Sequence, residues 1–201
     1  ALGAGATFEL LDRLNAQNFA DAAWESKLGR IVYLGGLFPK TEKLSPHLKS
    51  RKEVGEILLA GKVPTTVLRA AVIIGSGSLS FEILRYLTER LPIMITPNWV
   101  DSRIQPIAVR DVLHYLVNSA KMSPQINRGF DIGGPDVLTY REMMLLYAKV
   151  SGYKSRRIIS LPFMTPSLSS HWVGLVTPVP KKIARALMES LANEVICKEH
   201  D

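Results

Sequence analysis

The sequence is short of the residues that make the most specific chemical signatures. It holds one cysteine, Cys197, in 201 residues. No disulfide can form within the chain, and a reducing compartment such as the cytoplasm fits best. Four histidines stand at positions 47, 114, 171 and 200, and no two share metal-ligand spacing, so no metal site is expected. No G-x-S-x-G elbow occurs, which weakens a serine hydrolase reading. No apolar run reaches the roughly 18 residues that a membrane-spanning helix needs, so no membrane partner is expected. Aromatics make up 7% of the chain. None is interleaved with the basic clusters at 49–52, 154–157 and 181–185, so these read as solvated faces rather than a nucleic-acid stripe.

What is present describes a globular chain. A mass of 22.3 kDa corresponds to one domain with a genuine core. The hydrophobic fraction is 47% and the charged fraction 21%, which excludes disordered, collagen-like and disulfide-scaffold classes. Lys and Arg number 25 against 18 Asp and Glu, giving +7. That charge permits an anionic partner without choosing among nucleotide, nucleic acid and lipid headgroup. The first residue is Ala1, and no basic stretch leads into an apolar one, so a signal peptide is not expected.

Apolar spacing predicts a helix over 8–28, capped by Thr7 and stopped by Gly29. An apolar run at 31–34, closed by Gly35-Gly36, predicts a strand buried on both faces. A second helix starts at Ser45-Pro46 and runs to Gly61. The β-rich run 65–74 ends at Gly75-Ser76-Gly77-Ser78. A helical stripe follows through Phe81, Leu84, Leu87 and Leu91. Short strands are expected at 93–95, near 107–109, at 130–132 and at 158–161. A helix begins at Asp111, and another at Thr139, where Glu142 completes a capping box. The alternation predicts an α/β fold with a mostly parallel sheet and helices on both faces. Beyond Pro162 the texture turns rich in Pro and Ser. Residues 1–160 therefore read as one α/β part with interleaved substrate-side segments, and 161–201 as an arm and terminal helix over 180–193, a smaller lobe.

The candidate chemistry sits where strands open into glycine. Open α/β sheets bind ligands at the carboxyl ends of their strands, and Gly35, Gly36 and Gly75 stand at such ends; glycine also serves turn geometry alone. Gly3-Ala4-Gly5-Ala6 has neither the preceding strand nor the third glycine of a dinucleotide fingerprint, and reads as a loop into the first helix. Cys197 has no partner motif, so no reactive thiol is expected. Lys52 divides evenly between a solvated surface residue and a ligand-binding one.

Three segments taken in order carry a resemblance: 30–75, then Gln105-Pro106-Ile107-Ala108-Val109-Arg110-Asp111-Val112, then Phe130-Asp131-Ile132-Gly133-Gly134-Pro135. The chain resembles the extended and atypical short-chain dehydrogenase/reductase superfamily. More narrowly, YLGGL, LSPHLKSR, SFEILRYL, GGPDVLTYREM and LSSHWVGLVTPVP resemble bacterial NAD(P)-binding proteins of the nucleoside-diphosphate-sugar epimerase-like group. The resemblance implies a Rossmann-like sheet, a bound NAD or NADP, and hydride transfer on a small-molecule substrate. It also implies a first strand and a G-x-x-G-x-x-G turn that this sequence does not show. The chain then corresponds to the latter part of a family member, short of a first half on the order of 80 residues. Tight cofactor binding would need that half. A sheet cut there exposes a strand edge, so self-association is expected.

The resemblance assigns roles residue by residue. Gly35 and Gly36 close the fifth family strand, Lys52 reaches the ribose, and Ala70, Ala71 and Val72 pass the nicotinamide. Ser76, Ser78, Phe81 and Gln105 line the substrate side, with the Trp99 and Trp172 segments either covering that cleft or simply packing. The pattern departs from the family at the reacting groups. Gly35 stands at the Ser or Thr position and Leu48 at the tyrosine of Y-x-x-x-K. Leu48 exchanges no proton, which leaves His47 and Tyr33 as the nearby acids. Two functions remain open: an NAD(P)-dependent oxidoreductase or epimerase-like isomerase, and a non-catalytic dinucleotide-binding sensor or assembly protein.

Overall fold

The computed structural model describes residues 8–39, 44, 46–161, 176–178 and 193–198, with the side chains of Phe8, Pro46 and His47 outside that set. The expected cap at Thr7, the loop 1–6, Trp172 and the terminal helix over 180–193 lie outside the described residues.

Three parallel strands form the central sheet in the order β1 (Ile31–Gly36), β2 (Thr65–Ala70) and β7 (Arg128–Ile132). Alternation along them splits two faces, as a two-faced buried sheet requires. Ile31 and Tyr33 pack with α1 (Phe8–Glu25) and α2 (Pro46–Ala60). Val32, Leu34, Leu68, Phe130 and Ile132 point to the other face and meet Val112 and Leu116 of α4 (Val109–Ser119). Ala16, Ala20 and Ala23 let α1 lie close on Val54, Ile57 and Leu58 of α2. Arg30 ties the sheet to the loop before β7, donating to Thr66 Oγ1 at 2.7 Å, to the Ile126 carbonyl at 3.0 Å and to the Ser123 carbonyl.

A second core gathers beside the sheet. Strand β4 (Ile93–Pro97) pairs in parallel with β9 (Arg157–Leu161). Helices α3 (Leu79–Arg90) and α5 (Tyr140–Val150) bury Leu84, Leu87, Met143 and Met144 against Met94, Val100 and Ile104. Arg156 donates to the Thr88 and Glu89 carbonyls at the end of α3. The capping box forms as expected: Thr139 Oγ1 accepts from the Glu142 amide at 3.1 Å, and the Glu142 carboxylate accepts from the Thr139 amide at 2.7 Å.

Two expectations change. The run 65–74 is not one strand. It breaks after Ala70, and β3 (Ile73–Ile74) pairs instead with β6 (Ile107–Ala108), because the Ile107 amide finds the Val72 carbonyl at 3.0 Å. The first helix ends before Gly29. Lys27 takes the left-handed conformation, φ 54°, with Leu28 N–H donating to the Ala23 carbonyl and Lys27 N–H to that of Trp24. This is a Schellman stop, usually built on glycine. A short antiparallel pair joins β5 (Arg103–Ile104) to β8 (Leu138–Thr139), after a 3-10 turn at Asn98–Asp101. No helix among the described residues is long and apolar enough to cross a membrane.

Two predictions follow from this packing. Strand β1 is paired on one side only among the described strands. An apolar cavity of about 280 Å3 opens beside it, between α1, α2, Ile31 and Tyr33. Light scattering should give a mass above 22.3 kDa that rises with concentration. Phe19→Lys, an exposed change at the rim of that cavity, should bring it down at a folding cost within about 0.5 kcal/mol. A concentration-independent 22.3 kDa species contradicts this. Second, Tyr147 Oη donates to Glu89 at 2.6 Å across α3 and α5. This bond, with Arg85 adding to it, holds the Glu89 carboxyl below its ordinary 4.5. The stability it supplies is present above that ordinary value and is lost as pH falls through the lowered one. Tyr147→Phe should cost about 1–2 kcal/mol at pH 7 and shrink the stability lost between pH 7 and pH 3 in urea unfolding. An unchanged acid loss overturns the assignment.

Candidate functional site

In-step pairing sets Gly36, Ala70 and Ile132 side by side at one edge of the sheet. The chain turns there in three ways. Leu37 N–H donates to the Ala70 carbonyl at 2.8 Å. Ala71 and Val72 leave β2 towards the second core, Ala71 packing with Leu37, Val195 and Cys197, and Val72 buried against α3. Gly134 N–H donates to the Pro106 carbonyl at 2.8 Å. A Cβ at Gly134 would lie 2.5 Å from that Pro106 oxygen, so the two backbones meet only because residue 134 has no side chain.

The expected site residues divide. Gly35, Gly36 and Ala70 gather at the strand ends, and Ala71 and Val72 lead away from them. Leu48 is buried, 8% exposed, with Cδ2 3.9 Å from where a Gly36 Cβ would stand. The position matched to the family tyrosine therefore faces the end of β1, and what it presents there is apolar. Lys52 lies one turn on, half exposed, with Nζ 3.6 Å from Glu56. His47 belongs to the first turn of α2, and its side chain is outside the described atoms. The Tyr33 ring lies against Gly35, its Cε1 3.2 Å from where a Gly35 Cβ would stand, but on the face of the sheet covered by α1 and α2. The ring packs in the α1/α2 core, and its hydroxyl is buried with no hydrogen-bond partner among the described residues, in the apolar cavity beside β1.

The substrate-side set is equally mixed. Ser76 is exposed, and Ser78 precedes α3 as its N-cap residue without a side-chain cap bond. Phe81 packs edge-on against Tyr147 at 5.8 Å and belongs to the second core. Trp99 is likewise a packing residue, buried and edge-on to Tyr140 at 5.7 Å. Gln105 sits at the strand ends with both ends of its amide engaged. Its Nε2 donates to the Gly134 carbonyl at 2.8 Å, and its Oε1 accepts from the Cys197 amide at 3.1 Å.

One group at the site is absent from the sequence reading. Arg69 and Asp131 are paired in register on adjacent strands, with Arg69 Nε 2.7 Å from Asp131 Oδ1 and the Asp131 side chain only 3% exposed. Asp131 Oδ2 accepts from the Lys198 amide at 2.9 Å. Leu37, Phe38, Arg69, Asp131 and Lys198 line a cavity of about 140 Å3. Cys197 is buried beside it. Burial first, then the nearby Asp131 carboxylate, pushes its thiol pKa up, in keeping with an inert thiol. The signal for the pair was an opposite charge inside each of two apolar strand segments, LRA and FDI. No cluster of three or more His, Cys, Asp and Glu among the described residues could hold a metal ion.

No family model and no curated protein matches the chain. Solved structures do. UDP-N-acetylglucosamine 4-epimerase from Bacillus cereus superposes with a TM-score of 0.59 at 19% identity, over 96% of this chain and 76% of its own. Triphenylmethane reductase from Citrobacter sp., complexed with NADP(H), gives 0.70 at 18% identity, over 98% and 67%. The dTDP-4-dehydrorhamnose reductase of Bacillus anthracis in complex with NADP gives 0.59 at 13%, over 76% and 58%. At these identities the likeness is one of fold, and the fold is the Rossmann-type α/β fold of such epimerases and reductases. This chain spans three-quarters of the first neighbour's length and two-thirds of the second's.

Removing one partner of the buried pair should be costly. Asp131→Ala removes the carboxylate facing Arg69 and the acceptor of the Lys198 amide, an expected loss of about 2 kcal/mol in urea unfolding. The double change Arg69→Met with Asp131→Leu should recover most of it. A single-variant loss below about 1 kcal/mol would show that the pair is not buried as described.

Proposed function

We propose that this chain belongs to an NAD(P)-binding protein of the reductase and epimerase type, acting by hydride transfer on a small-molecule substrate. The observation that carries the reading is the in-step ending of three parallel strands at Gly36, Ala70 and Ile132. This is the position at which open α/β sheets receive ligands. Support comes from the fold neighbours, among them reductases solved with NADP(H) or NADP. The residues present fit an approaching dinucleotide. Among the described residues an added Cβ at Gly36 would meet the Leu48 side chain alone, at 3.9 Å, which leaves room for a ligand near the backbone at the end of β1.

In this reading Gly35 and Gly36 admit the ligand to the strand end. The backbone at Ala70, Ala71 and Val72 passes the nicotinamide ring while their side chains pack inward, and Lys52 turns from Glu56 to the ribose. Ser76 and Ser78 offer hydroxyls on the substrate side. The bound cofactor supplies the hydride donor or acceptor. Proton exchange falls to His47, one residue before Leu48, because the Tyr33 hydroxyl lies inside the α1/α2 core.

A second reading has one observation in its favour. Leu48 is buried against the end of β1, where the family mechanism needs a tyrosine. A protein that binds the dinucleotide without turning it over accounts for that residue directly.

NADPH titration of the whole protein that carries this chain, followed by nucleotide fluorescence, tests both. The first expectation is saturable binding that Gly36→Val weakens at least tenfold while the far-ultraviolet circular dichroism stays unchanged. Oxidation of NADPH on a carbonyl panel, abolished by His47→Ala, supports the enzyme. Binding without oxidation supports the second reading. An absence of saturable binding overturns both.

A further inference from the structure

The segment over residues 194–198 belongs to no helix and, apart from one bridge, to no sheet. It is nevertheless fixed to three elements far from it in sequence. Val195 N–H donates to the Arg103 carbonyl at 3.0 Å, and Gln105 N–H donates to that of Val195 at 3.1 Å. Glu194 pairs with Arg103 Nε at 2.8 Å. Cys197 N–H reaches Gln105 Oε1, and Lys198 N–H reaches Asp131 Oδ2. Val195 and Cys197 are each 8% exposed and pack on Leu37 and Ala71. The segment thus crosses the carboxyl end of the sheet.

Its last contact also completes the small cavity there. Two cations, Arg69 and Lys198, line that cavity with one carboxylate, Asp131. Both Asp131 oxygens are already engaged, Oδ1 by Arg69 and Oδ2 by the Lys198 amide. Among the described residues an entering group meets two cations and one carboxylate. If the segment leaves, Lys198 leaves the wall, Asp131 Oδ2 loses that donor, and Cys197 loses its cover. Among the described residues four hydrogen bonds and one ion pair hold the segment, a local set that can open without unfolding the sheet.

We propose that residues 194–198 are a strap whose docking closes an anion-accepting compartment at the carboxyl end of the sheet. The ligand group is a phosphate or a carboxylate. It binds the docked form and so favours docking. The assignment of that anion to cofactor or substrate rests on the function proposed above; the strap itself does not.

Cys197 is the sole cysteine of the chain and reports strap opening through its rate of reaction with a disulfide reagent such as DTNB. In the native protein labelling should be at least tenfold slower than in the urea-unfolded chain. Inorganic phosphate should slow it at least threefold further against sodium chloride of equal ionic strength. Gln105→Ala, which removes one anchor, should speed labelling at least tenfold with unchanged circular dichroism. Lys198→Gln should keep slow labelling and lose the phosphate effect. Protection by NADP+ at lower concentration than phosphate assigns the anion to the cofactor; protection by phosphate alone assigns it to the substrate. Native labelling as fast as unfolded, no phosphate effect, or a phosphate effect that survives Lys198→Gln each overturns the proposal. Failure of NADPH to bind alongside intact phosphate protection sinks the cofactor reading and leaves the strap standing.

Discussion

The parallel pairing of β1, β2 and β7 is the constraint on which the rest depends. Because Ile31 meets Thr65, and Thr66 meets Arg128, the three strands finish together. A slip of one residue would turn every side chain to the other face. Tyr33 would then leave the α1/α2 core, and Arg69 would lose Asp131. The glycines and alanines of the site are adjacent only through this register. The buried ion pair reads the same register, since the two charges face each other only when the strands are in step.

Much of this order is legible in the sequence because its causes are local. Apolar runs ending in glycine mark β1 and β7. Pro46 marks the start of α2, and Thr139 with Glu142 marks α5. The misread elements have causes that residue type does not announce. The run 65–74 looks continuous, yet Val72 gives its carbonyl to Ile107, which lies 35 residues later, and the strand breaks. Lys27 stops α1 because the backbone there closes a Schellman turn, although its side chain gives no warning. The strap is the extreme case. Its anchors Arg103 and Gln105 lie 91 and 92 residues from their partners, and its short sequence has no period to read.

The candidate site is legible only in outline. Gly35, Gly36 and Ala70 stand together at the strand ends, while Ala71 and Val72 lead from there to the second core. Phe81 and Trp99 are packing residues of the second core, because an aromatic stripe on a helix or turn looks alike whether it faces a ligand or a neighbour. Gln105 is at the right place in a different employment, joining Gly134 to Cys197. The resemblance to a reductase superfamily implies a ligand at the strand ends, where Gly36 and Ala70 lie side by side. Resemblance and geometry disagree on how a proton would move there, since the side chain facing the end of β1 is Leu48.

Gly133 adds a constraint of another kind. A Cβ at this position would stand 2.8 Å from Cys197 Sγ and from the Gln105 side chain, closer than packed atoms tolerate. Residues 105, 133 and 197 therefore share one volume, and none can grow unless another shrinks. Sequence drift at these three positions is bound together as tightly as if they were neighbours in the chain. A larger residue at 133 needs both the Gln105 side chain and Cys197 Sγ to give way at once.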